Sequence, residues 1–112
     1  MPLTITTLNL LNEYINGVIG RADHHAPNVD QVVLTLAGAV IWRATEDVSV
    51  RTYAGETANI LWLVVGANRY ALAYNHQSGN IELRERTQNG NVLATFNNQT
   101  TAAQVKQIFA GL

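Results

Sequence analysis

The sequence predicts an α+β fold: two N-terminal helices, an antiparallel meander sheet of five to six strands, and a C-terminal amphipathic helix packed on the sheet. Three observations carry it. Residues 58–96 alternate strand-like runs with turn-formers, residues 8–19 and 28–38 place apolar side chains at helical spacing, and Thr101 with Gln104 opens a last apolar stripe. A chain of 112 residues without internal repeat or low-complexity tract reads as a single domain over 1–112.

The first helix rests on Leu8, Leu11, Ile15, Val18 and Ile19, with Thr4, Thr6 or Thr7 as its cap and Gly20 at its end. Gly17 and several Asn residues lower its intrinsic propensity, so packing must supply its stability. After the linker RADHHAP, Asn28 and Gln31 resemble a capping box, and Val29, Val32, Val33, Leu36, Ala37 and Val40 share one helical face. The β-branched run VVLTL also suits a strand. Helix to about Gly38 is preferred, with AVIWRA extended after it, a turn at Glu46-Asp47, and VSVRTY completing a first hairpin. At the other end, Val105, Ile108, Phe109 and Leu112 follow the Thr101/Gln104 box at i, i+3, i+4, i+7.

Between these lies the meander: ANILWLVV, RYALAY, NIELRER and VLATF, joined by Gly66-Ala67-Asn68, His76-Gln77-Ser78-Gly79 and Asn89-Gly90. A four-residue loop at 76–79 pairs Tyr74 with Ile81, Leu72 with Leu83 and Tyr70 with Glu85. A two-residue Asn89-Gly90 turn sets Leu83 opposite Phe96, Glu85 opposite Ala94 and Thr87 opposite Val92. One face then collects Tyr70, Leu72, Tyr74, Ile81, Leu83, Val92, Ala94 and Phe96, joined by Leu61, Leu63 and Val65 if a two-residue loop stands before Arg69. A three-residue turn there would exchange the faces of residues 58–65. On this core face stands an acid, Glu85, within reach of Tyr70. The opposite face carries Ile60, Trp62, Val64, Ala71 and Ala73, rimmed by Glu82, Arg84, Arg86, Leu93 and Thr95. Solvent does not suit Trp62 and Val64, so a helix of the chain or a second subunit is expected to cover them.

Composition narrows the function. Cysteine is absent, which excludes disulfides, thiolate nucleophiles and Cys-based zinc sites. A net charge of −1 lacks the basic footprint of a nucleic-acid binder. Charged residues are 13% of the chain, about half the usual share, which leaves a surface suited to self-association. The longest apolar stretch, VVLTLAGAVIW, is short of the ~18–20 residues that span a bilayer. No basic residue precedes Arg21, against a signal peptide. The expectation is a cytoplasmic protein with neither nucleic-acid nor membrane partner.

No catalytic motif stands out. Asp23, His24 and His25 are the densest set of candidate metal ligands, but neighbours on an extended linker point apart and no third ligand stands at recognisable spacing. Tyr74, His76 and Ser78 form no triad, since no carboxylate is fixed beside them. The turn glycines are isolated, so no phosphate loop forms. Arg43, Arg51, Arg84 and Arg86 could line a carboxylate or phosphate site, with cross-strand pairing to Glu46, Glu56 or Glu82 as the ordinary alternative.

The preferred reading is a non-enzymatic interaction module, a homo-oligomer and most simply a dimer. Its interface is Trp62, Val64, Ala71, Ala73, Arg84 and Arg86, and no cofactor is expected. The alternative is a small-molecule-binding protein or minor enzyme with Trp42, Tyr70, Tyr74 and Glu85 around an aromatic pocket, and Glu85, Tyr70 or His76 as its acid–base group.

Overall fold

In the computed structural model, residues 12, 15, 16, 28–46, 48–53, 56–75, 77–87 and 89–112 are described, those at 51–53 and 56–59 for their backbone alone. The chain is α+β, with two helices and a five-stranded antiparallel sheet among these residues. The first expected helix falls mostly outside them. Asn12, Ile15 and Asn16 are helical, Asn16 donates to the Asn12 side chain at 3.0 Å, and Ile15 packs against the core.

Helix α1 spans Val32–Arg43 and buries Val32, Val33, Leu36 and Val40 of the face read from the sequence, together with Ala39, while Ala37 is only half-buried. Its ends correct two expectations. The helix continues through Gly38 to Arg43, so AVIWRA is helical and forms no hairpin strand, because Gly38 lies on the exposed side where nothing packs within 4 Å of an added Cβ. Nor do Asn28 and Gln31 form a capping box. Gln31 is the N-cap without a side-chain cap bond, and Asn28 donates instead to Gly79 and Asn80. Capping comes from Asn98, whose Oδ1 accepts the backbone N–H groups of Gln31 and Val32 at 3.0 Å each.

The strands β1 (Ser49–Tyr53), β2 (Glu56–Val65), β3 (Asn68–Asn75), β4 (Asn80–Glu85) and β5 (Val92–Phe96) pair in sequence order as a meander. Gly66 and Ala67 alone turn β2 into β3, one residue earlier than the expected loop before Arg69, because Gly66 takes φ 64°; Val65 meets Asn68 and Leu63 meets Tyr70, a slip of two that keeps the expected faces. The β3–β4 pairs are those read from the loop at 76–79: Tyr74 with Ile81, Leu72 with Leu83, Tyr70 with Glu85. Between β4 and β5 the register departs by two residues. Leu83 faces Ala94 and Ile81 faces Phe96, and a bulge sets Arg84 against Val92. A slip of two keeps the faces. Leu83, Ala94 and Phe96 therefore still point inward, whereas Val92 leaves the expected core face and is exposed.

Helix α2 (Ala102–Ala110) begins at the expected box, with Thr101 N–H to Gln104 Oε1 at 2.8 Å and Gln104 N–H to Thr101 Oγ1 at 3.1 Å. It buries Val105 and Phe109, the latter 6.1 Å from the Phe96 ring. Both helices join Leu61, Leu63, Leu72, Ile81 and Leu83 in one core, so they cover the same sheet face. Arg43 Nη2 donates to the Leu112 carbonyl at 2.9 Å and ties the two helix ends. No helix of the described residues is long and apolar enough to cross a membrane.

Candidate binding site and interaction surfaces

The outer sheet face is built by alternation from β2, β3 and β4. Trp62 stands opposite Ala71, and Ile60 opposite Ala73. No described helix packs here, yet Ile60, Ala71 and Glu82 are buried and Trp62, Val64 and Ala73 half-buried. The long side chains supply part of that cover. Arg69 lies 5.4 Å from the Trp62 ring centroid, where a cation is attracted to the aromatic face. Glu82 accepts Arg84 through Nε at 3.1 Å and Nη2 at 2.6 Å, and Asn75 at 3.2 Å. A buried carboxylate so bonded is compensated rather than reactive. The Trp62 indole Nε1, in contrast, is buried without an acceptor among the described residues.

Of the six expected interface residues, Trp62, Val64, Ala73 and Arg84 keep partial exposure on this face, while Ala71 is wholly buried. Arg86 does not belong to it. Strand β4 ends at Glu85, and Arg86 turns away at φ 65°, a left-handed conformation costly for a side chain with a Cβ.

That turn shapes a second feature, an open hollow of about 930 Å³ where the β2–β3 turn meets the β4–β5 loop. Arg69, Tyr70, Glu85, Arg86, Asn89 and Asn91 are among its walls. The loop is tightly pinned. Glu85 N–H donates to the Asn91 carbonyl at 3.0 Å, Arg86 N–H to the Arg69 carbonyl at 2.8 Å, and Arg84 Nη1 to the Gly90 carbonyl at 2.8 Å. Glu85 is exposed here rather than held among core side chains, because the bulge ends the strand beneath it. Its Oε2 accepts from Asn91 at 3.3 Å.

The expected aromatic pocket divides. Tyr70 and Glu85 line the hollow together; Tyr74 is half-buried four residues further along β3, and Trp42 stands exposed on α1. The four arginines considered for an anion site also separate: Arg43 reaches Leu112, Arg84 pairs with Glu82, Arg86 lines the hollow, and Arg51 is described for its backbone alone. Asp23, His24, His25 and His76 lie outside the described residues.

A third surface escaped the sequence reading. Leu34, Ile41 and Trp42 are 58%, 63% and 52% exposed, and with exposed Gly38 they form one stripe along α1 at i, i+4, i+7, i+8. The signal was present in that spacing, but ending the helix at Gly38 hid it.

Compared with known families, the chain matches over residues 11–106 the family model described as "Integron cassette protein VCH_CASS1 chain". No curated protein matches it.

Proposed function

The chain belongs to this integron cassette protein family, and from that premise we propose that it works by binding rather than catalysis, associating with a second copy of itself. The single observation that carries the reading is the exposed apolar stripe on α1, where Leu34 and Ile41 face solvent and Trp42 carries the Arg43 guanidinium 5.5 Å from its ring centroid. Large apolar side chains collected on one exposed helical face mark interaction sites. Leu34 and Trp42 each stand four residues from Gly38, so a two-fold axis over Gly38 brings Trp42 of each copy onto Leu34 of the other. Gly38 lets the helices approach closely, and no charged residue lies between Val32 and Trp42 to oppose them.

The outer sheet face around Trp62, with Val64, Ala73 and Arg84, is the second candidate for the same contact. What favours it is an indole N–H without a partner among the described residues, on a face that no described helix covers. We place the protein in the cytoplasm, where a cysteine-free chain needs no oxidative partner.

Sedimentation velocity on the wild type, Ile41→Glu and Val64→Glu tests both surfaces. The expected pattern is a dimeric wild type, a monomeric folded Ile41→Glu and a dimeric Val64→Glu. Dissociation by Val64→Glu alone assigns the contact to the sheet. A wild type that stays monomeric at the highest reachable concentration ends the self-association reading.

A further inference from the structure

We propose that the hollow at the end of the sheet binds a small carboxylate that also carries a hydroxyl or amino group, with Arg69 and Arg86 holding the carboxylate and Glu85 the donor. The proposal stands apart from self-association and uses none of the α1 stripe.

Size and charge set the ligand class. The hollow's volume, about 930 Å³, lies at the upper end of small-molecule clefts and leaves room for ordered water. Arg69, Arg86 and Glu85 are among its lining residues, a local excess of positive charge in a chain of net charge −1. Neither guanidinium is spent on an ion pair among the described residues. Arg69 rests over Trp62, the Arg86 side chain makes no hydrogen bond among the described residues, and the ion pair of this region joins Arg84 to Glu82 instead. A guanidinium presents a planar fork that matches a carboxylate in a bidentate contact. Glu85 uses Oε2 to accept from Asn91 and leaves Oε1 for a ligand hydroxyl or ammonium. That carboxylate also disfavours a compact dianion such as phosphate.

The site is built before any ligand arrives. Arg86 is the one residue other than glycine with positive φ among those described, and its N–H bond to the Arg69 carbonyl holds it there and joins the two guanidinium-bearing residues through the backbone. Strained conformations kept by their surroundings gather at ligand clamps. The opposite rim is fixed by Arg84 on Gly90 and by Asn91 on Glu85, so little loop ordering is left to oppose binding. Tyr70 gives independent support. It lines the hollow, is 8% exposed, and its hydroxyl has no hydrogen-bond partner in the chain among the described residues. The hydroxyl is not among the buried unpaired polar atoms, so water reaches it in the hollow, and a ligand oxygen can take that water's place.

Isothermal titration calorimetry at low ionic strength, with L-malate and L-glutamate as probes and succinate and inorganic phosphate as controls, tests this directly. L-malate or L-glutamate is expected to bind, and to bind more tightly than succinate or phosphate. Arg86→Gly is the decisive variant, because glycine adopts φ 65° without strain and the substitution removes the guanidinium with the rest of an exposed side chain. It is expected to keep the thermal stability of the wild type or exceed it, while binding falls about tenfold or more. Absence of binding by both acids overturns the proposal. So does undiminished binding to Arg86→Gly, or succinate or phosphate binding as tightly as the two acids.

Discussion

Asn98 caps the helix that begins at Val32. Its Oδ1 takes the N–H groups of both Gln31 and Val32 at 3.0 Å, and its Nδ2 donates to Asp30 at 2.8 Å. Helix N-termini leave backbone donors without intrahelical partners, and here the acceptor arrives from the segment between β5 and α2. The backbone adds Asn98 N–H to the Asn28 carbonyl at 2.7 Å, so the start of α1 and the exit of the sheet are fastened together.

Asn98→Ala is therefore expected to destabilise the fold by about 1–2 kcal/mol, the range for loss of a helix cap. Chemical denaturation reads the change as a lower midpoint at an unchanged slope. Thr101→Ala at α2 removes one acceptor of a local box and is expected to cost about 1 kcal/mol. A smaller loss at Asn98 than at Thr101 would show that solvent replaces the long-range cap.

Glu82 is buried on the outer face and held by Arg84, whose side chain is 23% exposed. Arg84→Met leaves the carboxylate with Asn75 as its remaining described donor, and also frees the Gly90 carbonyl. The expected loss is about 2–3 kcal/mol, toward the lower end for a broken buried pair because water reaches the arginine. The double variant Arg84→Met/Glu82→Leu is expected to recover most of it, since no unpaired charge stays buried. Equal losses in the single and double variants would mean that the Gly90 contact, not the ion pair, carries the energy.

How far the sequence reaches is plain from particular residues. The core face was legible because alternation fixes it: Leu61, Leu63, Leu72, Ile81, Leu83 and Phe96 are fully buried where the pairings put them. The Thr101/Gln104 cap was legible because its partners are three residues apart. The cap of α1 was not, since its acceptor stands 67 residues from Gln31 and local pattern offered Asn28 instead. Tyr70 and Glu85 were placed side by side correctly, but the burial of Glu85 depended on the next turn. There the chain bulges and turns at Arg86, so the acid faces the hollow with Arg69 and Arg86 beside it. Backbone strain at an arginine has no signature in composition or spacing.

Two glycines separate conformational need from space. Gly66 sits at φ 64° with nothing within 4 Å of an added Cβ, so Gly66→Ala meets backbone strain alone and is expected to cost about 1–2 kcal/mol. Gly90 has no positive φ, yet an added Cβ would overlap the Glu85 carbonyl. Gly90→Ala must displace the loop that Glu85 N–H to Asn91 and Arg84 to Gly90 hold in place. It is expected to cost about 3 kcal/mol, as overpacking against rigid backbone does. Urea denaturation of the two variants side by side measures the difference. If Gly90→Ala proves as mild as Gly66→Ala, the loop yields easily and the hollow is not the rigid site proposed.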